Sequence, residues 1–287
     1  MQEYTINEDL KLIKELLEIS NEDLSKELEV DIKTIARWLS SKNDISDKNM
    51  EKIYSYAYKN GININLIKEM LNRDDNKELL LFHGAKKGLV GDIDIDKSDK
   101  NNDFGKGFYL SQSFEAAATY IAGFSNSSVY QILFDNKGLK YVTFHVTTEW
   151  MIAIAFYRGR IQEYADSKIV KNIIESINDA DYIIAPIADN RMFSIINSFI
   201  DKEITDEQCK HCLSATNLGY QYVIKSSKAI KRLKIIEKCY LCNEEKNDYL
   251  EKRKDYTKLG DDKVKAARIK YRGIGKYIDE LLGGFNY

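Results

Sequence analysis

The chain has 287 residues, of which 44% are hydrophobic and 31% charged, with a formal net charge of −2, one proline and four cysteines. That length accommodates one large domain or two modest ones, each with an apolar core, and the composition excludes disorder and fibrous repeats. No stretch reaches the roughly 18 uninterrupted apolar residues of a membrane span. The first residues lack the basic and apolar regions of a secretory leader, so a cytoplasmic location is expected.

In chain order, residues 7–70 read as short amphipathic helices: Leu10, Ile13, Leu16 and Leu17, then Leu24 and Leu28, then Ile32, Ile35 and Leu39 fall at helical spacing. Ser20-Asn-Glu-Asp23 is a capping-box pattern that opens the second helix. The polar run Asn72–Lys77 lacks periodicity and reads as a linker, which bounds a helical domain at 1–72. Compact apolar runs at 78–82, 129–134, 141–146, 182–187 and 220–224 predict buried strands. Helical patterns at 114–123, 150–157, 167–177 and 192–200 alternate with them, which makes 78–242 an α+β domain. Residues 243–287 form a charged helical tail, basic near its end at Arg268, Lys270, Arg272 and Lys276.

Asp23–Val30 followed by Asp31–Leu39 has helix-turn-helix spacing and exposes Lys33, Thr34 and Arg37, side chains suited to phosphates and base edges. From Leu16 to Gly61 the pattern resembles the Cro/C1-type repressor domain, which implies DNA binding. Charge opposes it: residues 1–75 hold 11 Lys and Arg against 16 Asp and Glu, a net −5, leaving +3 for the remainder. Phosphate neutralisation supplies most non-specific affinity for DNA. The module therefore binds DNA, or docks a protein partner or a second copy as a homodimer.

The chemistry-bearing stretch is Leu81-Phe-His-Gly-Ala-Lys86, then Asp103-Phe-Gly-Lys-Gly-Phe-Tyr-Leu-Ser111, then Phe114-Glu-Ala-Ala-Ala-Thr-Tyr120. His83 offers an imidazole beside Gly84, whose bare backbone leaves room for a ligand. Gly105 and Gly107 permit a tight turn that delivers Tyr109 on a short strand. Tyr120, on the following helix, supplies a second aromatic plate. Histidine, bare backbone and paired tyrosines suit a flat heteroaromatic, nucleotide-like ligand.

All four cysteines fall in two CxxC pairs, Cys209-Lys-His-Cys212 and Cys239-Tyr-Leu-Cys242, with 26 residues between them. Four thiolates complete a tetrahedral zinc shell, so a structural zinc is one expectation. The other is buried, reduced thiols, because the first pair lies in a helical pattern at 206–215 and no glycine follows either pair. His145 and His211 read as structural.

Taken together, the ordered motifs resemble the ADP-ribosyltransferase superfamily, in its diphtheria-toxin and poly(ADP-ribose)-polymerase branch, and within it a bacterial family of ADP-ribosyltransferase-like domains. The resemblance covers residues 79–237 and implies a split β-sheet fold that binds NAD⁺ bent. It places His83 on a ribose hydroxyl, main-chain groups of Gly84 and neighbouring Ala85 on the carboxamide, and Tyr109 and Tyr120 about the nicotinamide, with Ser111 in the same binding set. The third catalytic element, an acidic residue on a late strand in most of the superfamily, falls on Gln221 in Leu218-Gly-Tyr-Gln-Tyr-Val-Ile224. An amide supplies hydrogen bonds without the Coulombic stabilisation of an oxocarbenium-like transition state. Three readings stay open: Gln221 suffices for a good nucleophile, Asp189 substitutes as the acid, or NAD⁺ is bound without turnover. Arg191 is a candidate for a phosphate. The implied function is NAD⁺-dependent mono-ADP-ribosyl transfer to a protein or nucleic acid, in a toxin, phage-defence or regulatory setting. The alternative is an NAD- or nucleotide-sensing regulator.

Overall fold

The computed structural model describes residues 4–40, 45–75, 77–188, 190–214 and 219–283, apart from the side chains of residues 75, 190, 191, 256, 257, 259, 260 and 263. The chain begins with five helices, α1 (Ile6–Leu16), α2 (Asn21–Glu27), α3 (Ile32–Ser40), α4 (Asp47–Lys59) and α5 (Ile64–Asp75). Then come β1 (Leu79–Ala85), β2 (Phe108–Ser111), α6 (Phe114–Ile121), β3 (Ser128–Phe134), β4 (Tyr141–Thr143), α7 (Thr148–Tyr157) and α8 (Lys168–Asp179). The remainder is β5 (Tyr182–Pro186), α9 (Asn190–Ile200), α10 (Asp206–Ser214), β6 (Tyr220–Ile224), α11 (Ser227–Ile230), β7 (Leu233–Cys239), α12 (Asn243–Lys270) and α13 (Ile278–Leu282). The protein is α+β, with a helical N-terminal module followed by strands and helices. Among the described residues no helix is long and apolar enough to cross a membrane.

Two compact units are built from interleaved segments. The first comprises Met1–Gly91, Ser113–Asp135 and Lys234–Lys252, the second Asp92–Gln112, Asn136–Leu233 and Arg253–Tyr287.

In the first unit the Ser20 hydroxyl accepts from the Asp23 amide and starts α2, as the capping pattern predicts. Leu10, Ile13, Leu24, Ile35, Trp38 and Ile53 form the helical core. Two observations differ from the sequence expectations. Residues 72–75 continue α5, because Asn72 donates to the Gln131 side chain of β3 at 2.9 Å, so tertiary contact extends a polar run without periodicity. Residues 233–239 form strand β7, whose half-buried, interrupted pattern carries no strand signal.

A buried ion cluster joins helices to strand in this unit. Lys68 of α5 lies 2.7 Å from both Asp9 of α1 and Glu237 of β7, while the Tyr54 hydroxyl donates to Asp9. β1 pairs antiparallel with β3 from Leu79↔Phe134 to Ala85↔Ser128, and β7 lies beyond β3. α6 covers this sheet through Phe114, Ala117, Ala118 and Ile121 against Leu80, Phe82 and Val129.

At the start of α12, Glu245 is buried against Asn65, whose Nδ2 donates at 3.0 Å, and against Tyr249. Desolvation pushes its carboxyl up from 4.5 to about 7, outweighing the hydrogen bonds that favour the charge. A raised folded pKa means the folded chain holds this proton longer than the unfolded chain does. The stabilisation is therefore full below about pH 4.5 and is lost as pH rises through about 7. Glu245→Gln is expected to remove that slope from thermal melts between these pH values. A slope identical to that of the wild type would place its origin elsewhere.

The second unit orders its strands β4-β5-β6-β2, with β4 and β5 parallel and the other two pairs antiparallel. Ile183, Ala185 and Val223 pack on the nearly uniformly apolar α7 (Trp150, Met151, Ile154) and on Met192, Ile196 and Phe199 of α9. α7 is hydrophobic all round because it is buried all round.

Candidate functional site

Gln221 sits in the centre of the second unit's sheet, paired with Ser111 of β2 on one side and Ala185 of β5 on the other. Alternation along the strands puts Tyr109, Ser111, Gln221, Val223 and Ala185 on one face, the face that packs on the helices. Gln221 is 7% exposed, and its Nε2 donates to Asp103 Oδ2 at 3.0 Å and to the Pro186 carbonyl at 3.1 Å. Asp103, also 7% exposed, receives Arg158 Nε at 2.9 Å and Nη2 on its other oxygen. The same guanidinium donates to the Ala188 carbonyl at 3.2 Å and lies 4.0 Å from the Phe193 ring centroid.

Asp103 and Arg158 are thus site residues that the motifs alone did not single out. Asp103 is the first residue of the quoted Gly-Lys-Gly motif, which is the signal that could have found it. Nothing in the sequence joins Arg158, at the end of α7, to that motif. Asp189, the predicted alternative acid, and the Arg191 side chain lie outside the described residues.

The loop from Asp103 to Tyr109 is fastened at several points. The Tyr109 hydroxyl donates to the Gly105 carbonyl at 2.7 Å and accepts from the Phe104 amide at 3.1 Å. Burial raises its pKa well above the ordinary phenol value. Tyr109 is therefore a loop-closing residue as well as a ring facing the core. Gly105 has φ +71°, and a Cβ there would stand 2.9 Å from Tyr157. A Cβ on Gly107 would meet Val223 at 2.7 Å, so the chain passes this close to β6 just before β2 only as glycine. Lys225 donates to the Phe104 and Lys106 carbonyls, and burial lowers its ammonium to about 8.

The remaining motif residues belong to the first unit. His83 is half-buried in β1, opposite Tyr130 of β3, and Ala85 ends the strand opposite Ser128. The space a Cβ on Gly84 would fill is taken by α6: the Ala117 carbonyl would lie at 2.6 Å and Ile121 Cγ2 at 2.9 Å. The glycine is needed for helix-on-strand packing, a different reason from the ligand approach read from the sequence. Tyr120 is 59% exposed on α6, and the Lys86 ammonium lies 4.9 Å from both its ring centroid and that of Phe124. Lys86 is accordingly held between aromatic faces, as a cation–π pair.

Among the described residues no group of three or more His, Cys, Asp or Glu side chains is placed to hold a metal ion. Cys209 and Cys212 share the inner face of α10 and enter the second unit's core. Cys239 and Cys242 enter two different apolar clusters of the first unit. Burial pushes all four thiols up, Cys242 to about 12. An open cleft of about 340 Å³ in the second unit, lined by Thr143, His145, Thr147, Glu149, Asn172 and Ser176, contains none of the predicted site residues.

A carboxylate, an amide and a guanidinium locked together on the inner face of a sheet, beside a glycine-fastened loop, define a polar site built into an α+β domain. Residues 79–235, more than half of the chain, match the family described as Protein of unknown function (DUF3990), and the chain belongs to that family. No curated protein and no solved structure matches the chain.

Proposed function

We propose that the protein is an NAD⁺-dependent mono-ADP-ribosyltransferase acting on a protein or nucleic acid. The observation that carries this reading is the buried Gln221, held by Asp103; the sequence resemblance aligns this glutamine with the superfamily's catalytic acid. The ordered His83-Gly84 and Gly105-Lys-Gly107…Tyr109 motifs support it.

In the reaction the bond between the ribose C1′ and the nicotinamide nitrogen breaks, and its electron pair leaves with nicotinamide. A nucleophile of the acceptor bonds C1′ and releases its proton to solvent. His83 and the main chain at Gly84 and Ala85 bind NAD⁺, with Tyr109, Ser111 and Tyr120 in the same set and Asp189 and Arg191 as further candidates. Gln221 Oε1 accepts from a ribose hydroxyl and orients the sugar, a hydrogen-bonding role open to an amide.

A second reading, an NAD- or nucleotide-sensing regulator without turnover, draws on the helix-turn-helix-like module, whose Lys33 and Arg37 are exposed on α3. There the acidic balance of residues 1–75 favours a protein partner or a second copy over DNA. Purified protein incubated with NAD⁺ separates the two: an enzyme releases nicotinamide catalytically, and a sensor binds NAD⁺ and leaves it intact.

A further inference from the structure

We propose that Asp103 is the positioning residue for the Gln221 amide, fixing Nε2 on Asp103 and Pro186 and turning Oε1 away from them, so that the site is built for glutamine and rejects glutamate. The geometry fixes the orientation of the amide. Both neighbours of Nε2, the Asp103 carboxylate at 3.0 Å and the Pro186 carbonyl at 3.1 Å, are acceptors only. A flipped amide would press its own oxygen against two others. Asp103 is itself fixed, because Arg158 occupies its Oδ1 and leaves Oδ2 for the amide. The backbone of Gln221 cannot swing away, since β6 is paired on both sides at this residue.

The arrangement also answers how an amide serves where a carboxylate is usual. A carboxylate accepting the amide N–H polarises the group, and the carbonyl oxygen becomes a stronger acceptor. Arg158 balances the charge of Asp103, so the cluster is neutral as a whole. Glutamate at 221 has no N–H to donate. Its carboxylate would lie at about the amide's 3.0 Å distance from Asp103, and two carboxylates that close cannot both stay ionised. The chemical consequence of this arrangement rests on the transferase reading; the orientation itself does not.

The test uses the full chain as wild type, Gln221→Glu, and Gln221→Glu combined with Asp103→Asn, melted from pH 5 to pH 9. The single variant gains a carboxyl whose folded pKa is raised by Asp103. It is expected to melt near wild type at pH 5 and several degrees below it at pH 9, its stability falling as pH rises. In the double variant the introduced asparagine donates to the new carboxylate, so the part of the pH-dependent loss due to Asp103 disappears and only the smaller effect of the Pro186 carbonyl stays. If the single variant does not fold, recovery of folding in the double variant carries the same meaning.

Parallel melts of Gln221→Glu and wild type across the range would overturn the proposal, as would a double variant no better than the single. The same proteins assayed with NAD⁺ keep the two claims apart. Gln221→Glu is expected to lower kcat for nicotinamide release about 100-fold with KM little changed, and the double variant to regain at least part of it. A wild type that never turns NAD⁺ over removes the transferase reading, while the melts still decide the role of Asp103.

Discussion

Arg158→Ala is expected to destabilise the second unit by about 3 kcal/mol, the lower end of what breaking a buried ion pair costs. The reason is what stays behind. Asp103 would keep its carboxylate in a site that is 7% exposed, with the Gln221 amide as its one side-chain partner among the described residues. The Ala188 carbonyl would lose its donor and the face of Phe193 its guanidinium. The lower end of the range applies because the Arg158 side chain is 19% exposed and water replaces part of what it supplied. Arg158→Lys is expected to recover less than half of the loss, since an ammonium keeps the charge but cannot fork between the carboxylate and a carbonyl. Trp38 and Trp150 are the two tryptophans, one in each unit. In a Trp38→Phe background, urea unfolding followed by Trp150 fluorescence reports the second unit alone. An Arg158→Ala transition unshifted from that background would show the pair to be dispensable.

The second large effect is on turnover. Gln221→Ala is expected to reduce kcat for nicotinamide release by about 10²–10³, the usual loss when one well-aimed polar group is removed from a transition state. His83→Ala is expected to act differently, raising KM for NAD⁺ more than it lowers kcat, because its role is ribose binding. Steady-state kinetics on both variants checks the split. Equal effects on kcat and KM in the two proteins would argue against separate roles.

Much of this architecture is legible in the sequence, and the exceptions share a cause. β6 is found at Tyr220–Ile224, and α6, α7, α8 and α9 fall within a few residues of their periodic signals. The capping serine at 20 reads correctly because its partner, Asp23, is three residues away. What is not legible depends on partners far along the chain. β7 shows a burial pattern too irregular to register as a strand, and its Glu237 makes sense only beside Lys68. The continuation of α5 depends on Gln131. The site divides in the same way. The motifs bring out His83, Tyr109 and Gln221, yet the carboxylate against Gln221 is 118 residues earlier and its guanidinium 55 residues beyond that. The CxxC spacing carries no information on burial: Cys209 and Cys212 enter the second unit's core, and Cys239 and Cys242 enter two apolar clusters of the first.

Charge reads differently once it is divided. The net −2 conceals −5 over residues 1–75 and +3 over the rest. The domain at 78–242 that holds Asp103, Arg158 and Gln221 is itself balanced, with 20 Lys and Arg against 20 Asp and Glu, and the positive excess lies mainly in the tail, with 11 against 9 over residues 243–287. The helix-turn-helix-like module carries the negative balance, and protein docking is the interaction that its charge favours.

The most direct test of the central claim is mass spectrometry of protein and nucleic acid from a cell lysate incubated with the purified chain and isotopically labelled NAD⁺. Labelled ADP-ribose on a macromolecule is expected, formed by the wild type and lost in Gln221→Ala and His83→Ala. Labelled NAD⁺ recovered intact, with no adduct in either fraction, would contradict the claim.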